Sequence, residues 1–314
     1  MSAGSDKPRR RCLPAAIRIH ANIAALLGAL LVSASAVAGS TDSDETDGLP
    51  LWELGIGTAL YQQPNYPGSD VRSTTAFPFP YVIYRGQWLR IDRSLQGILL
   101  ETRRLKIDLS ASGTSLVDSD ESDARRGMPD LDRAIQFGPG VSLLLTKPEL
   151  TYNVWGRLAV RTAYSIDTDN WSLTQQGWLA DLRLRAQQPL RAERLRASAE
   201  LAVRFADASY ADYYYGVAPQ YATPIRPAYE ADGGYAGARL GLGLDGRWNR
   251  WRWSIYGAYE NLVGTAFEQS PLLEATHDFS AGATVSWVFW RSKRRVVPRN
   301  TSPGDEFETP LFGP

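Results

Sequence analysis

The sequence predicts an all-β protein: an up-and-down antiparallel transmembrane β-barrel of about 12 strands. Three observations carry this. Apolar and polar residues alternate at period two along most of the chain, as they do when successive side chains point to opposite faces of a strand. The links between these segments alternate short and long, as periplasmic turns and outer loops do in bacterial barrels. The chain opens with an export signal, and beyond it no apolar run is as long as a transmembrane helix of about 20 residues.

The signal comes first. Lys7, Arg9, Arg10, Arg11 and Arg18 form a basic lead, Ala21 to Val32 is apolar, and Ala36-Val37-Ala38 is a small-residue cleavage site. Residues 1–38 therefore read as a signal peptide. Cleavage removes five basic residues and Asp6, leaving 29 basic and 33 acidic side chains. That balance argues against a nucleic-acid partner. Cys12 and His20 leave as well, so the mature chain has no cysteine for a disulfide or a thiolate metal site. Residues 39–50 are a short polar segment.

Residues 51–290 carry the barrel pattern. Trp52, Leu54, Ile56 and Leu60 oppose Glu53, Gly55, Gly57 and Tyr61. Leu105, Ile107 and Leu109 oppose Lys106, Asp108 and Ser110. Ile135, Phe137, Val141 and Leu143 oppose Gln136, Gly138, Gly140 and Ser142. Val154, Leu158 and Val160 oppose Arg157 and Arg161. Trp178, Ala180, Leu182 and Leu184 oppose Asp181, Arg183 and Arg185.

The segment from Ala192 to Phe205 is rich in helix-forming residues. Its apolar set nevertheless keeps period two, through Leu195, Ala197, Ala199, Leu201, Val203 and Phe205, and pattern outranks propensity. Next, Ala236 to Trp248 and Trp251 to Tyr259 form a hairpin about Asn249 and Arg250, with Tyr235 and Arg239 on the polar side. Phe279 to Phe289 is the last strand. The pair from Gln87 to Glu101 has the weakest pattern, which leaves roughly 10–14 strands open.

Trp52, Trp88, Trp171, Trp178, Trp248, Trp251, Tyr259 and Trp287 gather near strand ends, where amphipathic rings mark a bilayer interface. The charged faces then look inward. Arg157, Arg161, Asp181, Arg183, Arg185, Arg196, Glu200, Arg204, Arg239, Asp245, Arg252 and Glu260 are the expected lumen charges, read as a ladder of ion pairs filling a narrow barrel. Residues 291–314 begin with Arg291, Lys293, Arg294 and Arg295 and read as a basic, disordered periplasmic tail.

The long loops carry more specific motifs. Tyr66-Pro67-Gly68-Ser69-Asp70 follows the first strand, and Arg126-Gly127-Met128-Pro129-Asp130-Leu131-Asp132 precedes Gly138-Pro139-Gly140. Then come Tyr214-Tyr215-Gly216-Val217, Pro227-Ala228-Tyr229, Gly233-Gly234 and Ser270-Pro271-Leu272-Leu273. In this order they resemble the MipA/OmpV family of outer-membrane proteins, over about Leu51 to Trp290. The resemblance implies a barrel in the outer membrane of a Gram-negative cell, in contact with outer-membrane lipid and lipopolysaccharide. It also implies a non-enzymatic scaffold that joins a murein-cleaving lytic transglycosylase to a penicillin-binding protein.

The alternatives are a narrow porin-like channel for small solutes and a lipid-modifying enzyme. The latter would use His277, the single histidine of the mature chain, with Ser280 or Ser270. Asp118, Asp120, Glu121 and Asp123 form an acidic loop without the glycine and distal glutamate of a calcium loop. No catalytic, cofactor-binding or metal-ligating residue is assigned.

Overall fold

A computed structural model of the chain describes residues 48–91, 95–113, 119, 122–147, 149–167, 172–190 and 194–296. Fourteen strands lie among them: β1 (Leu49–Pro50), β2 (Trp52–Pro64), β3 (Arg72–Arg85), β4 (Leu89–Ile91), β5 (Leu95–Glu101), β6 (Leu105–Gly113), β7 (Arg133–Leu144), β8 (Asn153–Asp167), β9 (Ser172–Leu190), β10 (Leu195–Ala206), β11 (Gly234–Trp248), β12 (Trp251–Asn261), β13 (His277–Arg291) and β14 (Arg295–Val296). One α-helix, α1 (Ala208–Tyr215), and a 3-10 turn at Pro219–Tyr221 sit in the connection between β10 and β11.

Strands β2 to β13 close into a barrel in which every strand pairs antiparallel with its sequence neighbours, and β13 closes on β2. Closure gives each strand a partner on both sides, as β-structure in hydrocarbon requires, although β3 meets β4 only at Tyr84 and Arg85 among the described residues. The expected count of 12 strands is therefore met. The doubtful pair from Gln87 to Glu101 does form two strands, although β4 is only 3 residues long. The stretch with helix-forming composition is the strand β10.

The faces follow the alternation. Ile56, Leu60, Phe137, Leu158, Leu182, Leu242, Ile255 and Val285 are exposed on the outside, toward lipid, whereas Asp108, Arg161, Asp181 and Arg185 are buried inside. Four register shifts break the rhythm, at Ile98/Leu100, Ala163/Tyr164, Arg204/Phe205 and Val288/Trp290, and the last two bear on the rims. Arg204 pairs with Gly237 and Phe205 with Tyr235, so Ala236 is extra and Gly237 takes φ 119°. The extra residue exchanges the expected faces above it. Ala236 turns into a buried cluster, and Tyr235 stands edge-on to the lipid-facing Phe205. In β13 the register shifts between Val288 and Trp290, which brings Trp290 to the outer surface.

The start of the expected tail is part of the fold. Arg291 ends β13, and β14 pairs with β1, Leu49 with Val296 and Pro50 with Arg295. The signal peptide and residues 297–314 lie outside the described residues.

Candidate functional site

Two structures occupy the barrel's interior. The first is a set of charge clusters. Asp108 is fully buried, and Arg157 grips it through two nitrogens at 2.9 and 2.8 Å. Lys106 lies 3.4 Å from the same carboxylate and donates to Gln96. Arg157 reaches Asp108 across β7, and it does so over Gly140: a Cβ there would lie 2.7 Å from its guanidinium carbon. Asp181 collects Arg161 at 3.2 Å, Arg204 at 3.4 Å and Arg183 at 3.6 Å. Glu260 receives Arg204 and Arg239. Near the periplasmic end, Glu53 binds Arg85 at 3.0 Å, Arg252 at 3.1 Å and Arg291 at 3.9 Å. The buried carboxylates Glu53, Asp108 and Asp181 are thus each matched by cations, as burial of charge demands.

The second structure is a cap at the outer end. Helix α1 begins at Asp207, whose Oδ1 accepts the N–H of Tyr210 at 2.9 Å and of Trp178 at 3.0 Å. The cap ties four loops together. The Tyr214 carbonyl accepts from Arg125 of the β6–β7 loop at 3.1 Å. The next carbonyl, of Tyr215, accepts from Ser270 of the β12–β13 loop at 2.6 Å. These loops rise from opposite sides of the ring, half the strand circuit apart, so α1 spans the mouth.

From the β2–β3 loop, Tyr66 is fully buried and donates its hydroxyl to the Leu272 carbonyl at 2.8 Å. The Pro67 carbonyl accepts from Tyr215 Oη at 2.8 Å. The Tyr215 ring stacks on Phe267, with centroids 3.8 Å apart. Tyr66, Leu131, Ala211, Tyr214, Ala231 and Phe267 share one buried apolar cluster with it. Burial pushes the Tyr66 phenol up to about 12 and raises Tyr215 as well.

Gly68 shows why this loop takes its sequence. It has φ 87°, and a Cβ would meet the Leu273 side chain and stand 3.0 Å from the Ala275 carbonyl. Its own carbonyl accepts from the N–H of Glu274 and Ala275, and its N–H donates to Asp278 at 2.6 Å.

Four of the loop motifs that stood out in the sequence, through Tyr66, Leu131, Tyr214 and Leu272, therefore meet in one place. A family model described as MltA-interacting protein MipA matches residues 56–289. The chain belongs to the MipA family. It is an outer-membrane β-barrel. Outer membrane protein Omp26La of Vibrio anguillarum is 30% identical over 90 residues, 28% of this chain and 34% of that protein. The match thus spans about a third of that relative's length.

Among solved structures, an outer membrane channel of Pseudomonas putida F1 is similar over 80% of this chain and 100% of that one, at 10% identity and TM-score 0.38. The translocator domain of the autotransporter NalP from Neisseria meningitidis is similar over 87% and 97%, at 11% identity and TM-score 0.37.

The remaining candidate residues of this MipA-family barrel are not brought together. His277 is exposed, and its Nδ1 lies 2.8 Å from Tyr259 Oη, on whose ring it stacks. Ser280 accepts from Arg239 at 3.4 Å, and Ser270 donates inside the cap. Neither serine has His277 as its bonded partner in these contacts. Of the acidic loop, Asp123 is exposed and pairs with Arg126, while Asp118, Asp120 and Glu121 lie outside the described residues.

Most of the expected lumen charges do meet, but Arg196 is exposed near the periplasmic end of β10. Lys106, Asp108 and Glu53 were missing from the expected lumen set. Their place on the polar face of β6 and β2 was the signal that identifies them.

Proposed function

We propose that this MipA-family barrel is a closed, non-enzymatic interaction protein of the outer membrane, linked to murein synthesis and remodelling. The observation that carries the reading is the cap. Four loops from around the ring are bonded over the mouth, and their apolar side chains are buried against one another. Below it, ion pairs join strands one or two places apart along the inner wall. A barrel capped in this way offers its rims rather than its bore. The family description names an interaction with MltA. Brought to this chain, it supports a murein-cleaving lytic transglycosylase as one partner, and the family resemblance of the loop motifs adds a penicillin-binding protein as the other.

The test uses the purified mature protein. Immobilised, it retains both enzymes in pure form, and in planar bilayers it gives no current above background. Retention of neither enzyme removes the scaffold reading. Stable unit conductance replaces it with the channel.

A further inference from the structure

The periplasmic rim is not uniform in charge or in aromatic content. Arg250, Arg291, Lys293, Arg294 and Arg295 are all exposed, and they crowd the sector where β11, β12 and β13 end. The described carboxylates of that sector, Glu53 and Asp245, belong to the inward face, and Glu53 is buried under its arginines.

The basic run is fixed in place. Leu51 N–H donates to the Arg294 carbonyl and Ser292 N–H to the Trp52 carbonyl, both at 2.9 Å. Arg294 N–H donates to Ser292 Oγ at 3.0 Å. Arg291 donates to the Asn249 carbonyl at 2.8 Å and Arg250 to the Phe289 carbonyl at 3.4 Å. These bonds lace the β11–β12 turn to the end of β13. The bond named for Arg250 uses one of five guanidinium donors, and Arg291 turns Nη2 to Asn249 and Nε to Glu53.

The same sector carries a row of tryptophans. Trp248 pairs with Trp251, and Trp251 with Trp287. Trp248 is 73% exposed and Trp290 63%. Exposed indoles on the lipid face mark the edge of the hydrocarbon, so cations one or two residues beyond them stand at the depth of the lipid phosphates. At the hydrocarbon edge the rings meet acyl chains, and beyond it the guanidinium forks match phosphate oxygens.

We propose that this sector binds anionic phospholipid of the periplasmic leaflet, of the phosphatidylglycerol or cardiolipin type. A zwitterionic headgroup carries its own ammonium, which this cation cluster repels. An anionic headgroup brings phosphate without it. The site holds whether or not the barrel is a scaffold, because it depends only on the rim.

The experiment reads tryptophan quenching in the full mature barrel. The protein is folded into phosphatidylcholine vesicles containing a minor fraction of dibrominated phosphatidylglycerol, or the same fraction of dibrominated phosphatidylcholine. The anionic probe quenches more strongly in the native protein. The triple variant R250Q/K293Q/R294Q, which leaves the three arginines on Glu53 intact, lowers that preference about tenfold. R126Q on an outer loop leaves it unchanged. Heat-modifiable mobility confirms that each variant is folded.

Equal quenching by the two probes in the native protein overturns the proposal. So does a preference that survives in the folded triple variant. If the triple variant instead loses an acidic protein partner while its lipid preference stays, the sector is a protein-docking surface and the lipid site is wrong.

Discussion

Gly140 decides whether Arg157 reaches Asp108. In Gly140→Ala the new methyl would stand 2.7 Å from the guanidinium carbon, and the fork must leave the carboxylate. Asp108 keeps Lys106, but the buried Arg157 loses its two-point bond to the carboxylate. Breaking one side of a buried pair costs on the order of 3 kcal/mol, so the urea midpoint of the folded band falls. Gly156→Ala is the control, since a Cβ there meets only ordinary contacts with Leu145 at 3.6 Å and beyond.

Glu274, in the β12–β13 loop, gives the residue scale a second test. Burial, then its hydrogen bond with Asp70, raises its carboxyl from 4.5 to about 7. The native state therefore holds a proton that the unfolded chain releases at lower pH. Stability from this group is complete at acid pH and declines as pH rises from about 4.5 to 7. Amide exchange in the β2–β3 and β12–β13 loops is slower at pH 5 than at pH 8 after correction for intrinsic rates, and Glu274→Gln flattens the difference.

Single elements show what the alternation revealed and what it concealed. Strand faces were legible because lipid and a charged lumen impose opposite polarities on adjacent residues. The bulge at Ala236 was not, because one inserted residue leaves the local composition unchanged and only the register with β10 exposes it. Helix α1 was read as loop. It has 8 residues, too few to stand alone, and it forms because the cap buries Ala211, Tyr214 and Tyr215. The motifs of the loops were legible one by one, but their meeting was not, since it joins residues as far apart as Tyr66 and Leu272.

Strand β3 carries Pro78 and Pro80, which the pattern alone would disfavour. Arg85 N–H points to β2, donating to the Leu51 carbonyl. By alternation, the backbone nitrogens of Pro78 and Pro80 face the β4 side. Among the described residues β4 pairs with β3 only at Tyr84 and Arg85. The prolines thus remove two donors from an edge with little ladder to receive them. Replacing both by valine raises β-propensity yet adds two N–H groups at membrane depth. The double variant P78V/P80V unfolds at lower urea than the native barrel. A raised midpoint would show that the ladder continues above Tyr84.

For the whole molecule, the question is which layer closes the bore. The ion-pair layers are made of long side chains around Asp108, Asp181 and Glu260. These pairs join strands one or two places apart in the ring, so they line the bore rather than cross it. The cap is different in kind. It is an apolar cluster whose members are nearly devoid of solvent contact, held by main-chain acceptors from opposite walls, and a dry layer is the stronger barrier to a charged solute.

Replacing residues 208–232 by a short glycine-serine link removes α1 while leaving β10 and β11 whole, and long outer loops tolerate such exchange. The shortened barrel conducts in planar bilayers where the native protein does not. Its current prefers anions, because Lys106, Arg157, Arg161, Arg183, Arg185, Arg204 and Arg239 outnumber Asp108, Asp181, Glu200, Asp245 and Glu260 along the bore. A folded, shortened barrel that stays silent would place the seal in the ion pairs. Adding R157M together with D108L would then be the change that opens it.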